Sequence, residues 1–186
     1  MALTEETKCA DMIPSAVIME QLELHQNHIA QPIEIFMGIN RGNYFKKGIP
    51  YFEKALDILK SKYGKKVNIT IAENLPYDEY IKSYRKSHIL LDQALSYDQG
   101  YNALEAMAQG KAVFAGAGTP LLKAYELEKA PLIDAKPDVN YLVRELSNLI
   151  DHPDEIFKLG REAREFVERH HNAIDIARKY QALYIA

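Results

Sequence analysis

Short apolar runs, each followed by a polar turn and then by a stretch of helical periodicity, leave this chain very few architectures. Residues 33–37 read as a buried strand that ends in the loop 38–43, where Gly38 and Gly42 permit turns that other residues resist. A helix follows, with Pro50 suited to its first turn, Phe52, Leu56, Leu59 and Tyr63 at spacings of three and four, and Gly64 at its end. Val67, Ile69 and Ile71 mark a second strand, Asp78 is placed to cap a helix carrying Tyr80, Ile81 and Tyr84, and residues 88–91 form a third strand. The rhythm then repeats: a helix over 102–109 closed by Gly110, a strand over 112–114, the turn 116–120 into a helix through Tyr125, and a last short strand over 131–133. Strands alternating with helices of this length require right-handed crossovers, hence a Rossmann-like α/β fold, a parallel sheet with helices on both faces.

Beyond residue 133 the pattern is helical. Val139, Leu142, Val143, Leu146 and Leu149 form one apolar stripe, Ile156, Gly160, Ala163 and Val167 a second, and Ile176, Ala177, Tyr180 and Tyr184 a third, with His152-Pro153 breaking the chain between the first two. A helical C-terminal tail is expected. Residues 1–31 do not share the rhythm and read as an interdomain linker or the remnant of a preceding domain, leaving 32–186 as one domain, as a length of 186 residues suggests. A net charge of -3 provides no chain-wide field for nucleic acid or an anionic membrane, so a bound phosphate needs local cations. Cys9 has no cysteine partner, and His25 and His28 lie in a polar stretch without a nearby carboxylate ladder, so no metal site is expected. His170 and His171, near a helix end, need only a structural role. No apolar run approaches the ~20 residues of a membrane span, and the first residues lack the layout of a signal peptide, which points to the cytoplasm. Neither a serine nucleophile elbow nor a Walker-type phosphate loop is present.

Open parallel sheets bind ligands at the carboxyl ends of their strands, where helix N-termini offer free N–H groups to phosphate. That rule selects the loops 38–47, 72–77, 92–101 and 115–120. In the first, Arg41, Lys46 and Lys47 suit a diphosphate, or are solvated loop charges. In the third, Tyr97, Asp98, Gln99, Gly100, Tyr101 and Asn102 lead into the helix that carries Glu105, read as lying in its first turn. There a carboxylate either stabilises the helix start or accepts hydrogen bonds from a ribose. Gly100 either admits a ligand close to the backbone or only makes the turn.

The run Gly100-Tyr101-Asn102-Ala103-Leu104-Glu105-Ala106-Met107-Ala108-Gln109-Gly110-Lys111 resembles the donor-site signature of family 4 (group 1) glycosyltransferases, enzymes of the GT-B fold. Gly38, Arg41 and Lys47-Gly48 upstream, and the turn 115–120 downstream, stand in the family's order. Residues 13–17 resemble the segment joining the two GT-B domains, and Asp151-His152-Pro153 with 159–163 resembles the C-terminal helices, so one half of a GT-B fold is expected. The resemblance implies transfer of a sugar from a nucleoside diphosphate sugar with retention and without metal or other cofactor. It also implies an N-terminal domain absent from this chain, a sugar, lipid or protein acceptor, and a location in the cytoplasm or at the inner face of a membrane. Carried over, Arg41 and Lys47 hold the diphosphate, Glu105 the ribose, Gly38, Gly100, Tyr101 and Asn102 line the donor site, and Asn74 lies near the base.

One departure stands out. The earlier glutamate of the family pattern falls at Tyr97; Asp98, one position away, takes its place in this reading, with Asp92-Gln93 as polar contacts at the strand end. The stretch between the second strand and His88 is also short, as if a strand and a helix of the usual domain were trimmed. The rival readings are a sugar-nucleotide epimerase and a non-catalytic nucleotide-sugar-binding or interaction domain.

Overall fold

The computed structural model describes residues 12–24 and 31–185. Its elements follow the alternation: β1 (Ile33–Ile39), α1 (Ile49–Tyr63), β2 (Val67–Glu73), α2 (Tyr77–Lys86), β3 (Ile89–Leu91), α3 (Tyr101–Ala108), β4 (Ala112–Ala115), α4 (Thr119–Ala124) and β5 (Ile133–Asp134). Three helices close the chain: α5 (Val139–Asp151), α6 (Pro153–His170) and α7 (Ala173–Ile185). The strands form one parallel sheet in the order β2-β1-β3-β4-β5, with Ile35 opposite both Ile69 and Ile89, and Leu91 opposite Phe114.

Because successive strand residues point to opposite faces, the sheet divides the core in two. Ile33, Ile35, Met37, Ile89, Leu91 and Phe114 pack with Phe52, Leu56 and Leu59 of α1 and Leu142, Leu146 and Leu149 of α5. Phe36, Leu90 and Val113 pack on the other face with Leu104 and Met107 of α3 and with Phe166 and Val167 of α6. Both faces of the inner strands are dry, so these strands read as continuous apolar runs.

Several boundaries differ from the sequence reading. β1 runs on to Ile39, which puts Gly38 inside the strand and starts the loop at Asn40. β5 lies at Ile133–Asp134 rather than at 131–133. Asp78 is not a cap: α2 starts at Tyr77 after Pro76 with no side-chain cap, and Asp78 and Glu79 sit in its first turn, where the helix dipole favours acids. On α7 only Ile176 is buried, while Tyr180 and Tyr184 are exposed, so the third stripe is used in one turn only.

The segment 12–24 is docked on the domain. Val17 forms a parallel bridge with Asn172; its N–H donates to the His171 carbonyl at 2.7 Å and its carbonyl accepts from Ala173 N–H at 3.0 Å. His171, almost fully buried, donates from Nδ1 to the Ser15 carbonyl at 2.8 Å, and burial lowers its pKa. Val17 and Met19 join the second core cluster. Cys9, His25 and His28 lie outside the described residues.

Around the end of α3 the packing is tight. Lys111 is buried and donates to the carbonyls of Ser87 at 2.6 Å and Arg85 at 3.0 Å, tying β4 to the end of α2; burial lowers its pKa to about 7. Arg164 of α6 donates to the carbonyls of Ala108 and Leu22, taking up a backbone acceptor that the end of α3 leaves free. Gly110 adopts φ 74°, and a Cβ on Gly160 would lie 1.9 Å from the Gly110 carbonyl oxygen. Gly160→Ala should therefore destabilise the domain by about 2 kcal/mol or more, since overpacking against backbone outweighs the roughly 1 kcal/mol gained in helix propensity. An unchanged denaturant midpoint would refute this contact.

Candidate functional site

In this strand order the direction of winding reverses between β1 and β3, so a crevice is expected at their carboxyl ends. The loops that flank it, 40–48 and 92–100, are joined by backbone and by charge. Gly48, at φ 69°, turns the first loop into α1, and Ala94 N–H donates to the Lys47 carbonyl at 2.7 Å. Lys47 then reaches β3: its Nζ lies 2.6 Å from Oδ1 of Asp92. The Asp92 side chain is 2 % exposed and that of Lys47 29 %. The second carboxylate oxygen, Oδ2, is buried and has no hydrogen-bond partner among the described residues.

Arg41 occupies a short turn whose start is held by the Asn40 side chain accepting from Gly42 N–H at 2.9 Å. Its guanidinium is exposed, grips both carboxylate oxygens of Glu73 at the end of β2, and lies 4.8 Å from the Tyr44 ring centre. That hydrogen-bonded pairing raises the Arg41 pKa and lowers that of Glu73. Lys46 is exposed.

Helix α3 begins at the crevice after Gly100 with no side-chain cap, so its first N–H groups are free of intrahelical partners. A Cβ on Gly100 would lie 3.0 Å from Oδ2 of Asp92, which places the helix start directly against the buried acid. Tyr101 is half exposed and donates from its hydroxyl to the Ala16 carbonyl at 3.0 Å. Asn102 donates to the Tyr80 hydroxyl at 3.3 Å and accepts at its carbonyl from the Tyr84 hydroxyl at 3.1 Å. Tyr80 stacks on Tyr84, meets Phe36 edge-on, and covers Gly38, where a Cβ would lie 3.1 Å from its hydroxyl.

Glu105 falls in the second turn of α3, not the first, so dipole stabilisation explains it less well than its position in the sequence suggested. It is half-buried, its carboxylate makes no hydrogen bond among the described residues, and desolvation raises its pKa. Asn74 is exposed just beyond β2 with φ 53°, a backbone conformation asparagine tolerates.

Asp98 stands elsewhere. It is exposed, its N–H and one carboxylate oxygen each 3.3 Å from the Ser96 hydroxyl. That turn is pressed onto Gly116, where a Cβ would lie 2.3 Å from the Ser96 carbonyl oxygen, and the charge of Asp98 adds to the burial that raises the Tyr125 pKa. Tyr97 is 79 % exposed.

The structure thus joins Lys47 and Gly100 through Asp92, and Gly38 and Asn102 through Tyr80. It sets Arg41 toward β2 and Asp98 toward α4. The pairing of Asp92 with Lys47, the acid Glu73, and the cover supplied by Tyr80 were not foreseen; the only signal for Asp92 was its place as the first polar residue after an apolar strand. Among the described residues no three His, Cys, Asp or Glu side chains group as metal ligands. A separate cleft of about 290 Å³, lined by Leu127, Pro131, Phe166 and His170 among others, lies before β5 and against α6, away from the strand carboxyl ends.

The doubly wound sheet with its helical tail has the fold of one half of a GT-B structure. It superposes on sucrose-phosphate synthase from Thermosynechococcus elongatus with a TM-score of 0.65 at 20 % identity, over 92 % of this chain and 51 % of that one. The C-terminal domain of a group 1 glycosyl transferase, LpcC, from Francisella tularensis matches at TM-score 0.62 and 20 % identity, over 84 % of this chain and 99 % of the other. S. aureus TarM matches at 0.59 and 15 %, over 89 % and 38 %. This chain therefore spans about half the length of the synthase. The chain belongs to the glycosyl transferase-like family, whose sequence pattern it matches over residues 43–182. No curated protein matches it in sequence.

Lys47→Met would leave the buried Asp92 carboxylate uncompensated. The expected cost is about 2 to 4 kcal/mol at neutral pH, reduced from that of a fully buried pair because Lys47 touches water. Denaturant midpoints of the parent and the variant at neutral pH check the cost. An unchanged midpoint would contradict the pairing of Asp92 with Lys47.

Proposed function

We propose that this chain is the donor-binding domain of a retaining glycosyltransferase, which transfers a sugar from a nucleoside diphosphate sugar and is completed for catalysis by a second Rossmann-like domain. The observation that carries the reading is the placement of Lys47 and the uncapped start of α3 on the two sides of one buried acid, at the switch point of a glycosyl transferase-like domain. A cation and a set of free N–H groups there suit the two phosphates, and they stabilise the negative charge that grows on the leaving diphosphate as the sugar departs. The TarM structure, which shares the fold, holds UDP.

In this reading Lys47 and Arg41 bind phosphate oxygens, Gly38 and Gly100 allow close approach, and the backbone of Tyr101 and Asn102 completes the cradle. Glu105 accepts the ribose hydroxyls: its carboxylate is free of protein hydrogen bonds and partly desolvated, so donors from a ligand strengthen it. Asn74 stands at the base side, and no metal is needed for the charge balance. With Tyr97 at the position of the earlier glutamate and Asp98 engaged with Ser96, a non-catalytic sugar-nucleotide-binding domain is the second reading. Nucleotide binding without transfer in a protein carrying both domains would favour it.

Calorimetric titration with UDP, GDP and ADP should show binding of at least one with a Kd at or below about 1 mM, roughly 4 kcal/mol. Glu105→Ala should weaken it by about 1 to 3 kcal/mol, and Arg41→Ala by roughly tenfold. Failure of all three nucleotides to bind would remove the reading.

Glu73 competes with phosphate for Arg41. Glu73→Gln frees the guanidinium and should tighten diphosphate binding by up to about fivefold, the scale of an exposed ion pair, with a steeper salt dependence. Weaker binding in this variant would mean that Glu73 holds Arg41 in its binding pose instead.

A further inference from the structure

We infer that Asp92 is a positioning residue that fixes the Lys47 ammonium at the β1–β3 crevice, a role that rests on the donor-binding reading and assigns phosphate affinity to an acid outside the family signature. Asp92 cannot move: it follows β3 directly, its N–H donates to the Phe114 carbonyl at 2.9 Å, and its side chain is 2 % exposed. Lys47 is held at both ends by the same loop, through its carbonyl to Ala94 N–H at 2.7 Å and through Nζ to Asp92 at 2.6 Å. A lysine side chain is long and rotamer-rich, and left alone it would lose that freedom on meeting phosphate. Held this way, it has lost the freedom in advance, and two of its three N–H donors remain for a ligand.

The buried acid is poorly explained by stability alone. Oδ2 has no partner among the described residues, and an unpaired buried carboxylate oxygen is costly. Asp92 also lies under Gly100, so it sets the Lys47 charge next to the free N–H groups of α3. Glu73 and Asp98 do not serve: Glu73 is taken by Arg41 on the β2 side, and Asp98 is exposed in the Ser96 turn.

The test compares the nucleoside diphosphate that binds, taken from UDP, GDP and ADP, with its nucleoside. In the parent chain the diphosphate binds more tightly than the nucleoside. Asp92→Asn, which keeps shape and fold by circular dichroism, should cut that preference about tenfold and leave nucleoside affinity unchanged; Asp92→Glu should restore part of it. In the Lys47→Met background Asp92→Asn should have no further effect, since Asp92 acts through Lys47. Equal losses for diphosphate and nucleoside, or equal losses in both backgrounds, would reduce Asp92 to a structural residue and overturn the inference. A measurement on the parent alone adds to this: the Lys47 ammonium resonance should shift on adding the diphosphate and not on adding the nucleoside. Absence of that shift overturns the inference without a variant. If no nucleotide binds the parent, the donor reading falls and this inference with it; binding by the parent with an unaltered preference in Asp92→Asn removes only the inference.

Discussion

Both faces of the inner strands are sealed by helices, and what polar chemistry the centre of the sheet can do is therefore forced to the strand ends. Ile35, Met37 and Leu91 are enclosed by α1 and α5, Phe36 and Leu90 by the α3 and α6 side. A charged group is tolerated in such an interior only with a partner, and Asp92 and Lys111, buried at opposite ends of the sheet, obey this. Asp92 at the carboxyl end has Lys47, and Lys111 at the amino end has the carbonyls of Arg85 and Ser87. The first meets a crevice open to ligand; the second closes the base of the sheet.

The two cations assigned to phosphate differ in how they are held. Lys47 is paired with an acid that has almost no access to water, so the attraction is weakly screened and the geometry persistent. Arg41 is paired with Glu73 at the surface, where salt and solvent compete. One cation is built into the fold, and the other is exchangeable. In the proposed reading a diphosphate would meet one charge already in place and one that has to leave its carboxylate.

Periodicity made the framework legible because burial has a period. The stripe of Phe52, Leu56 and Leu59 in α1 and the run Ile33 to Met37 in β1 became core as expected, and Gly64 and Gly110 ended helices with positive φ. The glycosyltransferase resemblance around Glu105 likewise led to the family. Side-chain pairing was not legible. Lys47 and Asp92 are 45 residues apart, and nothing local marks them as partners; their meeting depends on β1 and β3 being neighbours in the sheet. The same holds for Tyr80 over Gly38. The placement of Asp78 failed for another reason: Pro76 fixes the backbone before the helix and leaves the acid one position inside it. Tyr180 and Tyr184 have helical spacing, but α7 contacts the core only through Ile176.

The bridge between Val17 and Asn172 has a mechanical meaning. It stitches the segment that enters the domain to the junction of its last two helices, with backbone hydrogen bonds on both sides of Val17 and a third from His171 to Ser15. Entry segment and helical tail are thus tied to each other and, through the second core cluster, to the sheet. In the proposed two-domain enzyme this tie favours a pivot before Ser15, so that opening and closing of the cleft would carry Lys47, Asp92 and the start of α3 together.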